Sequence, residues 1–163
     1  MKKQKDTASN FIKNINFIYM AILFGPIAFG TIFYLLSQNL EQGFYLSGEI
    51  TLIVIPIIAI SGILFGNHLF KKMIAEIPKD TSLNQKMNKF RSAFIIKLSL
   101  IEGPALASTF IYYTTLNLSY LVITGALILY MTLLAPKKEK IATSLDLSNK
   151  ERAKFNQLAK PME

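Results

Sequence analysis

The sequence predicts an all-α membrane protein: a four-helix bundle with both termini cytoplasmic and a short cytoplasmic C-terminal helix. Three observations carry this. Apolar residues make up 52% of the 163-residue chain and charged residues 17%, against roughly a quarter charged in soluble domains. The apolar residues gather in four runs, each near the roughly 20 residues needed to cross a bilayer core. All 18 Lys and Arg residues fall where one side of the bilayer can hold them.

The first run, about 17–36, contains no charge. Its Lys-rich approach (Lys2, Lys3, Lys5, Lys13) suits a signal sequence. The apolar stretch is too long for that, and no small-x-small cleavage site follows Leu36, so a retained signal-anchor is expected. The second run, about 50–70, ends in Asn67 and His68. The third, about 92–115, carries Lys97 and Glu102. The fourth, about 118–135, is again uncharged. A soluble bundle would need a polar face on every helix, and the first and fourth runs have none. The chain thus divides into a transmembrane domain, 1–136, and a basic tail, 137–163.

Cations lie before the first run, between Lys71 and Lys97, and in the tail; the connections 37–49 and 115–117 hold none. Cationic residues stay cytoplasmic during insertion. Both termini and the middle connection are therefore expected inside. The net charge of +8 is then chiefly a topology device, aided by anionic lipid. The basic segments lack the interleaved stacking aromatics of a nucleic-acid platform, so no nucleic-acid partner is expected. The expected partners are the bilayer itself, and either a second copy of the chain or another membrane component.

Phe24-Gly25-Pro26 through Tyr34 aligns with Glu102-Gly103-Pro104 through Tyr112 at a constant offset of 78 residues, matching Gly-Pro, Thr and Tyr. This suggests two helical hairpins in one orientation; chance is the competing reading, since membrane helices favour Gly and Pro. Pro26, Pro56 and Pro104 each free a backbone carbonyl and should bend their helices. Gly62 and Gly66 form a small-xxx-small stripe, and Ser99, Gly103 and Ala107 a second. Such stripes permit close approach, so the second and third spans are expected to pack through these faces.

The middle connection should extend both flanking helices, with its turn near Pro78-Lys79-Asp80. In the tail, Ser148 and Glu151 fit a capping box. Leu145, Leu147, Phe155 and Leu158 give the tail an apolar side, for the membrane surface or the middle connection.

Glu102 is the residue with chemical potential. It lies about 11 residues, or roughly 16 Å, beyond Arg91, near mid-bilayer. A carboxylate there must be neutralised, paired or hydrated. Ser61, Ser99 and Thr109 are the candidate partners, together with the carbonyl freed by Pro104. Lys97 is expected to snorkel to the surface. Two readings stand, proton or cation handling at Glu102 and a structural polar contact. The chain has no cysteine and one histidine. No nucleophile–base pair, phosphate loop or metal spacing is present, so neither enzyme activity, metal nor cofactor is expected.

Leu100-Ile101-Glu102-Gly103-Pro104-Ala105-Leu106 resembles the ion-binding helix of the rotor-ring c subunit of F-type ATP synthases. That local resemblance implies an ion-binding role for Glu102. It stops short of the whole chain: the second span lacks the glycine ladder of such rings, and a long Lys-rich connection replaces their short loop. With Pro136-Lys137-Lys138-Glu139-Lys140-Ile141 leading to Leu145-Asp146-Leu147, the entire chain is similar to a family of small four-span inner-membrane proteins of Bacteroidota-type bacteria. That resemblance implies a location and no particular activity. A structural or accessory membrane component is the expected function. A small oligomeric proton or cation transporter is the alternative.

Overall fold

The computed structural model describes residues 2–45 and 50–158, with side chains from 10 onward and up to 157. The side chains of Lys2, Lys3, Lys5 and Leu158, and Lys160 altogether, lie outside them. The described residues form six helices: α1 (Lys2–Ser37), α2 (Thr51–Ala75), α3 (Leu83–Thr115), α4 (Ser119–Leu133), α5 (Lys138–Ser144) and α6 (Asn149–Leu158).

Three helices are long and apolar enough to cross a membrane. α4, with 15 residues, reaches only about 22 Å. It passes the same test only when joined to α5, to which it is bent by 76°. Pro136 lies in that bend, where it cannot continue a helix. The chain therefore has three to four membrane-length apolar helices, compatible with a multi-pass membrane protein. The middle connection runs as expected: α2 and α3 overshoot their apolar runs and turn across residues 76–82, with Thr81 N donating to Pro78 O.

α3 is the central strut. It packs on α1, α2 and α4, and Leu98, Ile101, Ala105, Ser108 and Tyr112 along it are fully buried. The contacts fix the directions. Tyr19 meets Phe94 and Phe33 stacks on Tyr113, so α1 and α3 run parallel. Gly62 meets Leu100 and Gly66 meets Lys97, while Ser108 Oγ donates to Tyr120 O and Thr124 Oγ1 to Ala105 O, so α2 and α4 run antiparallel to α3. Pro26 and Pro104 therefore stand at one level on neighbouring helices.

The outer faces are apolar and unpartnered. Phe17, Ile53, Leu64, Val122 and Leu129 are each more than 60% exposed. In water such contiguous apolar faces would be an aggregation liability; facing lipid tails, they cost nothing.

The two ends of the bundle differ. At the cation-free end, the connection after α1 meets the α3–α4 turn. Gly43 pairs with Asn117, and the fully buried Asn117 side chain accepts from Tyr45 N and Ser119 N and donates to Tyr45 O. Tyr112 Oη donates to Gln42, whose amide donates to Ser37 O. Leu116 takes the left-handed conformation that lets α3 end within one residue of Asn117.

At the lysine-rich end, the tail folds back. α5 ends in a Schellman motif, with Leu147 N donating to Ala142 O and Asp146 N to Thr143 O. Asp146 holds the positive φ of 45° that this cap requires. The turn aims α6 across the bundle end. Ile141, Leu145, Leu147 and Phe155 are buried in one cluster with Phe11, Ile15, Met87 and Phe90. Of the two surfaces open to the tail, it takes the end of the bundle beside the middle connection.

Candidate functional site

Glu102 sits on the face of α3 turned toward α1. Its Oε1 lies 3.0 Å from where a methyl on Gly25 would be, so the missing side chain of Gly25 makes room for the carboxylate. Among the described residues no hydrogen bond or ion pair reaches it. The partners expected from the sequence lie elsewhere. Ser61 and Ser99 line an open groove of about 420 Å³ between α2 and α3, with Gly62, Gly103 and Pro104. Thr109 is buried, donates to Ala105 O at 2.8 Å, and stands 3.2 Å from Thr124 Oγ1 of α4. The reason is rotational: α1, rather than α2, covers the Glu102 face of α3.

The carbonyl that Pro104 frees is that of Leu100, four residues back. It also points away from Glu102. A methyl on Gly62 would run into this oxygen, so only glycine lets α2 approach so closely. Gly66 continues the contact, with the Lys97 carbonyl 3.4 Å from its Cβ position. On α3 the contact therefore runs through Lys97 and Leu100 rather than through the Ser99–Gly103–Ala107 stripe. A Cβ on Gly103 would meet nothing within 4 Å, and Ala107 is half-buried. Gly103 is about 60° round the helix from Leu100, which puts it on the lip of the open groove. Pro26 and Pro104 are buried, and Pro56 is half-buried.

The second concentration of polar groups lies at the lysine-rich end. A cavity of about 800 Å³ opens between the end of α2, the start of α3 and the tail. Lys71, Lys79, Lys86 and Lys97 line it, with Asp146 and Glu151. Phe70, Ile74, Ile77, Leu145 and Leu147 supply apolar wall. Lys97 Nζ lies 5.2 Å from the centroid of the Phe70 ring, a cation–π distance. It leans toward the lysine-rich end, into this cavity.

Lys86 is 4% exposed, and its Nζ meets Glu151 Oε1 at 2.8 Å. It is the only ion pair among the described residues. Glu151 has a second task, since its Oε2 accepts from Ser148 N and Ser148 Oγ at 2.9 Å each. That is the capping box expected from the sequence, returned by Glu151 N to Ser148 Oγ at 3.4 Å. One carboxylate thus starts α6 and fastens it to α3. The hydrogen bond from Lys86, and then those from Ser148, hold the Glu151 carboxyl below the ordinary glutamate range against the opposing effect of burial.

Sequence reasoning did not find the cavity or the burial of Lys86. The Lys86–Glu151 pair spans 65 residues, and neither residue differs by type from its charged neighbours. The one available signal was a capping-box glutamate at the head of an amphipathic tail helix. His68 is exposed and lines no described cavity. No known protein family, curated protein or solved structure matches the chain.

Proposed function

We propose that the chain is an accessory component of a bacterial inner membrane, a four-span bundle with both termini cytoplasmic that works through its cytoplasmic cap and performs no chemistry of its own. The observation that carries this is the docking of the tail on the bundle end where α2 and α3 are joined. Lys86–Glu151 and Phe155 hold the tail at the same bundle end as the middle connection, which supports the one-sided reading of the charge distribution. The apolar side of the tail is spent on the chain's own bundle. What the tail offers a partner is the outward side of α6, where Lys150, Arg152, Lys154, Asn156 and Gln157 are exposed.

Because the chain contains no cysteine, single-cysteine variants test the topology cleanly. With a membrane-impermeant maleimide on intact spheroplasts, Asn39→Cys should label, and Lys79→Cys and Asn149→Cys only after permeabilisation. Labelling of Lys79→Cys and Asn149→Cys from opposite sides would end the proposal. Crosslinking in native membranes, with and without residues 137–163, tests the cap as the working face. Loss of the crosslinked neighbours with the tail is the expected result.

A second reading has one observation in its favour, the unpaired Glu102 carboxylate beside Gly25. It makes an assembly of the chain a proton or cation conductor, in line with the local likeness to rotor-ring subunits. Unchanged proton flux in proteoliposomes carrying Glu102→Gln, at equal reconstitution, would remove it.

A further inference from the structure

The cavity at the lysine-rich end has more positive charge than the fold uses. Lys86 is neutralised by Glu151, and both Glu151 oxygens are engaged, one with Lys86 and one with Ser148. Asp146 is the single carboxylate left on the lining, facing Lys71, Lys79 and Lys97. Lys97 has the Phe70 ring beneath it and no anion. Lys71 and Lys140 are near enough to repel it. Like charges gathered in a recess with low-dielectric walls focus a field that attracts an anion.

The shape narrows the ligand. About 800 Å³ falls within the usual range of small-molecule pockets, roughly 300–1,000 Å³, and has room for more than a bare ion. The wall is divided, with lysines on one part and Phe70, Ile77 and Leu145 on another. Lys97 marks the deep side, where α3 enters its apolar run, and Lys79 and Asp146 the rim. An amphipathic recess of this kind suits an anionic head joined to a less polar body.

We propose that this cavity binds a phosphate-bearing anion, held between Lys71 and Lys97, with the docked tail as its outer wall. The shared chemistry is a phosphate mono- or diester; its sources are the headgroup of an anionic lipid and a free phosphate compound. The proposal rests on the cytoplasmic cap being the working face. It is tested without orientation or partners, so its failure and that of the cap reading are distinguishable.

The test is calorimetric titration of the full chain, purified in a non-ionic detergent. The probes are inorganic phosphate, dihexanoyl phosphatidylglycerol and, as zwitterionic control, dihexanoyl phosphatidylcholine. Saturable binding of phosphatidylglycerol with little binding of phosphate identifies a lipid headgroup; comparable binding of both identifies the phosphate group alone as sufficient. Either outcome supports the site. The variant Lys71→Gln/Lys97→Gln should bind about tenfold or more weakly. Lys13→Gln/Lys150→Gln removes the same charge outside the cavity and should change affinity less than about twofold. If the first double variant is not monodisperse, Lys71→Gln alone serves, since its side chain is exposed and makes no hydrogen bond or ion pair among the described residues. Absence of saturable binding, equal binding of the zwitterionic probe, or equal weakening in both double variants would overturn the proposal.

Discussion

The two ends of this bundle solve one problem by different physics. Each must close the chain over helix ends and connecting segments. The cation-free end does it with neutral hydrogen bonds from short connections: Asn117 ties residues 45 and 119 together, and Gln42 ties Tyr112 to Ser37. The lysine-rich end does it with the tail, whose last helix, α6, is held by one aromatic plug and one ion pair. Neutral bonds made within connections cannot be released without unfolding them. A helix that docks from outside can leave as a unit. The difference therefore teaches where this molecule can change state, since partial opening proceeds through cooperative pieces that bury little.

The sharpest way to break that comparison is Phe155→Ala. The ring is completely buried, and truncations of this kind cost about 3–5 kcal/mol. That is a large share of what a ten-residue helix can gain by docking. Released α6 amides should exchange hydrogen rapidly, while those of α3 around Ser108 and Tyr112 keep their protection. Loss of protection at both ends together would show one cooperative body rather than a bundle with a detachable cap.

Asn117→Ala attacks the other end with a smaller expected effect. It deletes a buried amide that makes three hydrogen bonds to backbone and strands their partners. About 2–3 kcal/mol should be lost. The thermal midpoint in detergent should fall, with exchange at α6 unchanged below the transition.

How much of this contrast could be read from the sequence depends on range. The long apolar helices were legible because runs of some twenty residues with two charges or fewer suit lipid better than water. The capping box was legible because Ser148 and Glu151 are three residues apart. Even the preference of the tail for an apolar surface could be read from Leu145, Leu147 and Phe155. The shortness of α4 was not, since the run 118–135 is apolar throughout and only the break before Pro136 shortens the helix. Nor was the direction of Glu102. Which of two neighbours covers a given face of α3 is settled by close approaches such as Gly62 on the Leu100 carbonyl and Gly25 on the carboxylate. Spacing along one helix says nothing of these. The cavity is less legible still, because it is the space left between three segments far apart in the chain.

The finest test of the contrast is pH. With the tail docked, Lys86 and Ser148 hold Glu151 below its ordinary value; with the tail released, the carboxyl returns to it. Above that ordinary value both forms are ionised and the ion pair contributes in full. As pH falls through it, the released tail takes up a proton first and docking weakens. By the depressed value of the docked state the contribution is gone. A pair with Glu151 a quarter exposed should contribute about 1 kcal/mol after solvent screening. The protection factor of the α6 amides should therefore fall about fivefold on acidification through the glutamate range, and Glu151→Gln should flatten that response at uniformly lower protection. Exchange at Asn117 should not share the profile, because its side-chain partners are neutral backbone groups. An identical acid response at the two ends would mean that the cap and the bundle titrate, and open, as one.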